Sequence, residues 1–269
     1  METYIDFPLS IIFLVSLLLL VATGEIGRRF GSQVQQEIDA GISTLEAAML
    51  GLLALMLSFT FAMALTRFDA RRDAVLREAN AIGTAALRAR LLPAPYGAES
   101  LKLLRDYVQI RVNLANRSPT PAELDAEIGH SNEIQEALWR QLKAALTKDN
   151  AMAPTGLYIQ ALNEMFDVQE SRLTAVRNHV PIVVVFSLYG IATVALGFTG
   201  YASGLERRRR RFPIYLMSLL VAGVILLILD IDRLGAGFVA VSQQPIIDTA
   251  KAIANFPVDV RKEEQTRPK

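Results

Sequence analysis

Four apolar blocks, each long enough to cross a lipid bilayer as a helix and each free of charge near its centre, constrain this chain more than any other feature. A hydrocarbon core about 30 Å thick requires roughly 20 apolar residues in helical form. Residues 7–23 (FPLSIIFLVSLLLLVAT) make the first block, with Pro8 where a helix start tolerates proline. Residues 45–65 (LEAAMLGLLALMLSFTFAMAL) make the second, interrupted only by Glu46 at its rim. The third is 181–204 (PIVVVFSLYGIATVALGFTGYASG) and the fourth 213–229 (PIYLMSLLVAGVILLIL). The 269-residue chain is 52% hydrophobic, little above an ordinary soluble protein, so the clustering rather than the average makes the case. Buried core helices of a soluble bundle are the alternative, and four uninterrupted blocks of this length argue against them. The expected fold is an all-α integral membrane protein, with four transmembrane helices in two hairpins and a helical insert between spans two and three.

The chain divides accordingly into a first hairpin (1–65), an extramembrane domain (66–180), a second hairpin (181–229) and a C-terminal segment (230–269). The 66–180 stretch carries 15 Lys/Arg and 14 Asp/Glu, with apolar residues at helical spacing. Leu65, Phe68, Val75, Ile82 and Leu87 lie along one broad face, so span two is expected to continue past the membrane as one long helix. Pro93 and Pro95 stop it. A helix over 98–115 leads to the turn Ser118-Pro119-Thr120-Pro121, where Thr120 and Glu123 fit a capping box and Pro121 the first helical position. That next helix runs to about Lys148, and another, from about Gly156, leads into span three without a break. After span four, Asp230 and Asp232 precede a glycine-containing turn and a short helix opened by Ser242 and Pro245, then a charged tail, RKEEQTRPK.

Several function classes fall away. Net charge is +1 and cysteine is absent, which leaves no global field for nucleic acid and no thiol chemistry, disulfide or cysteine metal site. The two histidines, His130 and His179, stand too far apart for a recognisable metal cluster. Catalytic Ser/His/Asp order, phosphate loops and zincin patterns are lacking, so neither an enzyme nor a cofactor is expected. The span centres carry no ionisable residue, which argues against a proton relay. The N-terminus has Glu2 and Asp6 where a secretory signal would have Lys or Arg, so the first block is expected to remain.

Positive-inside reasoning pulls two ways. Arg207 to Arg211 form an unbroken run between spans three and four, and Arg28 and Arg29 are expected in the loop between spans one and two. Both loops would then be cytoplasmic and the helical domain periplasmic. Arg67, Arg71, Arg72 and Arg77 at the domain end of span two oppose this, but short loops count most. The same cluster, with Asp69, Asp73 and Glu78, reads either as a solvated membrane edge or as a charged vestibule that concentrates ions at a pore mouth. Asp230 and Asp232 either pair with Arg67 or Arg71, joining the hairpins, or simply end span four. In span three, Gly200 and Gly204 match a small-residue helix-packing pattern.

Residues 51–72 (GLLALMLSFTFAMALTRFDARR) resemble the second transmembrane segment of bestrophins. Residues 77–93 (REANAIGTAALRARLLP) and 229–245 (LDIDRLGAGFVAVSQQP) are more similar still to the bestrophin-like domain of bacterial membrane proteins. The resemblance implies a multi-pass protein of the bacterial inner membrane and a homo-oligomer, a pentamer, whose axial pathway for inorganic ions is lined by span two. It places Phe59, Leu55 and Gly51, one turn apart on a shared face, at the pore neck, and Arg67, Asp69, Arg71 and Arg72 at its charged mouth. Gly51 is too small to constrict, and where animal bestrophins carry an acidic calcium clasp only Asp230 and Asp232 follow span four. Two carboxylates fall well short of the roughly six to eight oxygens calcium takes, so no metal is expected. The reading is therefore a homo-oligomeric bestrophin-like ion channel. The alternative is a membrane sensor or scaffold with a helical periplasmic domain and no transport activity.

Overall fold

A computed structural model describes residues 7–34, 40–115, 121–148, 152–205, 211–233 and 237–257. Every regular element among them is a helix: α1 (Leu9–Gln33), α2 (Ala40–Ala89), α3 (Tyr96–Ala115), α4 (Pro121–Lys148), α5 (Met152–Arg177), α6 (Ile182–Leu205), α7 (Phe212–Asp232) and α8 (Gln244–Ala254). Four are long and apolar enough to cross a membrane, and they contain the four blocks read from the sequence. The chain is an all-α membrane protein with a helical insert between its second and third spans. It forms two compact units, one of Met1–Asp69 with Asn178–Ala240 and one of Ala70–Arg177 with Val241–Lys269. Arg207 to Arg210, Ser118 to Thr120 and the tail after 257 lie outside the described residues.

The first unit is held by backbone-to-backbone packing of α1 on α6. Gly27 and Gly31 of α1 meet α6, and Gly200 and Gly204 of α6 meet α1, so closely that added methyl groups would strike main chain, while a methyl on Gly24 would strike the Ile214 side chain of α7. At Gly27 the obstacle is the carbonyl oxygen of Gly197, at Gly200 that of Gly24, and at Gly204 that of Arg28. In lipid no hydrophobic gain separates helix from helix, so approach at this distance supplies the dispersion that holds them. The α6 half of this seam was legible as Gly200 and Gly204; the α1 half was not, because Arg28 and Arg29 read as a loop. They are helical, and Arg28 is buried. Its guanidinium donates to Glu25 at 2.7 Å, and Glu25 also accepts from the Tyr215 hydroxyl of α7 at 2.8 Å.

Three further expectations are corrected. The chain between α5 and α6 is not helical over residues 178–181, so span three is no extension of its preceding helix. Pro181 disfavours helix at Val180 and has no N–H of its own; the Val180 N–H instead donates to both carboxylate oxygens of Asp232, each at 3.1 Å. On α2 the buried face contains Val75 and Ile82 but not Leu65 or Leu87, which are exposed. The helix start expected near Gly156 lies earlier, at Met152.

The second unit is a bundle whose core gathers Val75, Ile82 and Ala85 of α2, Leu101, Leu104 and Tyr107 of α3, Leu138 and Leu142 of α4, and Tyr158, Leu162 and Met165 of α5. The short helix α8 belongs to this unit, burying Ile246 and Ile253 against it. Arg105 of α3 secures the end of α8 by donating to the carbonyls of Ile253, Ala254 and Phe256. Carbonyls at and just past a helix C-terminus are short of helical N–H partners, and the positive charge suits the negative end of the dipole.

The glycine seam makes a specific prediction. Gly27→Ala or Gly200→Ala should cost about 1–3 kcal/mol, as expected for overpacking, read as a lowered melting temperature in detergent. Gly190→Ala, where a methyl meets nothing within 4 Å, should leave the melting temperature unchanged. Equal behaviour of the three variants would contradict the seam.

Candidate functional site

An unbroken helix such as α2 returns to the same side every three to four residues, so exposure along it defines a continuous stripe. Gly51, Leu55 and Phe59 fall on that stripe; Leu55 is 51% and Phe59 62% exposed, and a methyl on Gly51 would meet open space. The three are therefore on one face that the described residues do not cover. The rest of the exposed surface of this span mixes small or hydroxylated residues, Ala48, Ala54, Ser58, Ala62 and Thr66, with Leu45, Leu52 and Leu65. Ser58 and Thr66 return their hydroxyls to the carbonyls of Ala54 and Ala62 at 2.8 and 2.9 Å. The contrast with α1 is chemical: its exposed face carries Ile11, Leu14, Val15, Leu18 and Leu19, the bulky aliphatic surface that lipid tails favour.

At the polar end of the stripe the charged residues separate by burial. Asp69 and Arg72 are exposed, Arg67 is half-buried and Arg71 is buried. The two aspartates after α7 act as clamps on main chain. Asp230 accepts from the N–H groups of Phe238 and Val239 at 3.0 and 3.1 Å. A side chain at Gly237 would strike the Asp230 carboxylate, so the loop requires glycine there. Asp232 takes the Val180 N–H, and its carbonyl oxygen lies 3.2 Å from Nδ1 of His179. Both aspartates are almost fully buried.

A charged residue that sequence reasoning placed wrongly is Glu78. Grouped with the surface charges of the membrane edge, it is in fact fully buried within the bundle. One carboxylate oxygen sits 2.7 Å from Nε of Arg111, and the other accepts from Arg172, which also donates to Gln243 at 2.8 Å. Beside this triad the Tyr107 hydroxyl donates to Gln169, which accepts again from Gln135 at 2.8 Å. Burial, with the negative charge of Glu78 added, pushes the Tyr107 hydroxyl pKa far up, and burial raises Tyr158 to about 12. Both hydroxyls stay neutral at working pH. A signal for Glu78 was present: it lies in register with Val75, Ile82 and Ala85, so the helix carries it inward. Its partners, far along the chain on α3 and α5, were not readable from that spacing.

These features define a class first: a four-span helical membrane protein whose polar insert is a bundle with a buried ion network. A family model for the Bestrophin-like domain matches residues 13–246. The chain belongs to that family. Among solved structures, variants of a bacterial bestrophin homolog from Klebsiella pneumoniae share the fold. One has a TM-score of 0.68 at 16% identity, covering 90% of this chain and 97% of that one. Another has a TM-score of 0.67 at 15% identity, covering 91% and 97%. A comparison with curated proteins gave no match.

The buried triad is testable by removing its centre. Glu78→Ala leaves two guanidinium groups facing each other out of water, and should destabilise the protein by about 3–5 kcal/mol. Glu78→Gln, which can still accept a hydrogen bond, should lose less. Thermal unfolding in detergent measures both; a near-neutral Glu78→Ala would contradict the network.

Proposed function

We propose that this chain is the subunit of a homo-oligomeric ion channel, a pentamer on the family resemblance, in which α2 lines the pathway. Leu55 and Phe59 form its apolar neck, with Gly51 leaving the neck wide one turn beyond Leu55. Arg67, Asp69, Arg71 and Arg72 make up the charged mouth. The observation that carries this reading is the chemistry of the exposed stripe on α2. Small residues let copies of a helix approach one another, and hydroxyls tolerate water. A lipid-facing stripe would come closer to the uniformly bulky face of α1, whereas on α2 the leucines 45, 52 and 65 are interspersed with small and hydroxylated residues. Membership of the Bestrophin-like family agrees with the same assignment.

An apolar ring impedes ions by shedding water, without binding them. Phe59 offers the bulk for such a ring and Leu55 a second layer, whereas the mouth residues raise the local concentration of ions of one sign. The chain needs neither enzyme chemistry nor a cofactor for this work. Its setting is the bacterial inner membrane.

Flux of ions from proteoliposomes tests the reading. Wild-type protein should release trapped ions, and Phe59→Ala or Leu55→Ala should raise the rate on the order of tenfold, the effect of about 1.4 kcal/mol removed from a barrier. Absent wild-type flux, or variants indistinguishable from it, would contradict the neck.

A further inference from the structure

In the bundle unit, α4 and α5 leave a cleft of about 420 Å³ lined by Asn132, Gln135, Glu136, Trp139, Asn163 and Phe166. Its volume lies in the range of sites for small molecules. We propose that this cleft binds a small, soluble organic ammonium ion. Trp139 and Phe166 are half-buried, packed on one side against the core, so each can offer ring surface to the cleft. The faces of aromatic rings attract cations, most strongly at tryptophan. Glu136 is the one charged residue among those lining the cleft. Its carboxylate matches a positive ligand and would repel an anion.

The remaining walls are amides, suited to hydroxyl or carbonyl groups on the same ligand. Gln135 is not a mobile surface side chain: its Nε2 donates at 2.8 Å to Gln169, whose oxygen also accepts from buried Tyr107. The cleft floor is thus fixed by the core. On α4, residues 132, 135, 136 and 139 share one helical face, and on α5 residues 163 and 166 do the same. Two rigid helices therefore present the rings, the acid and the amides together.

Trp139 is the sole tryptophan of the chain, so its fluorescence reports directly on the site in the full-length detergent-solubilised protein. Choline and tetramethylammonium should change that signal saturably, whereas the uncharged carbon isostere of choline should not. Glu136→Gln and Phe166→Leu should each weaken choline on the order of tenfold, with melting temperatures checked alongside. Glu136 is exposed, so its variant tests the charge even if the Phe166 variant misfolds. No saturable change, or an equal response to the isostere, overturns the proposal. Repeating the titration in nanodiscs separates a free solute from a lipid headgroup. An unchanged apparent Kd with or without phosphatidylethanolamine supports a soluble ligand, and competition by that lipid overturns it.

Discussion

The structure depends on the continuity of one helix. α2 runs for 50 residues without a break, which at 1.5 Å per residue is roughly 75 Å, more than twice a hydrocarbon core of about 30 Å. Much of it must therefore leave the membrane. The same hydrogen-bonded rod carries the apolar stripe of Gly51, Leu55 and Phe59, then the cluster from Arg67 to Arg72, then buried Glu78. What it faces changes along its length, while its backbone does not.

Each unit solves a different solvent problem. In the spans, where lipid gives no reason for helices to associate, α1 and α6 meet glycine against glycine and gain attraction by closeness. In the bundle, water supplies the driving force, and the core of α2, α3, α4 and α5 is ordinary apolar packing. Into that core the chain places a carboxylate between two guanidiniums. Such a triad contributes little net stability compared with an apolar core, but it penalises every packing that separates its members. The aspartates after α7 work similarly at smaller scale, fixing the 237–239 loop and the break before α6 through main-chain N–H groups.

The spans were legible because membrane burial writes itself locally: some 20 residues of hydropathy suffice. The extent of α1 was not, since Arg28 looks like the start of a loop until Glu25, itself bonded by Tyr215, is seen to pair with it. Proline showed where α2 ends, whereas Pro181, the first residue of the third block, also breaks the helix before it. Glu78 illustrates the general limit. Its register pointed inward, but a carboxylate is buried only when partners exist, and Arg111 and Arg172 are brought to it by tertiary folding alone. The stripe on α2 was legible as a face, whereas the small and hydroxylated residues among its leucines became informative only beside the uniformly bulky exposed face of α1.

The central claim is that the exposed stripe of α2 faces water. Because the chain contains no cysteine, a single cysteine at position 59 is a clean probe. In proteoliposomes conducting ions, a charged, membrane-impermeant thiol reagent should react at Phe59→Cys and block flux, while Phe186→Cys, on the exposed face of α6, should stay unmodified. Failure to react at position 59, or equal reaction at both, would mean that the stripe faces lipid or protein and that α2 lines no pathway.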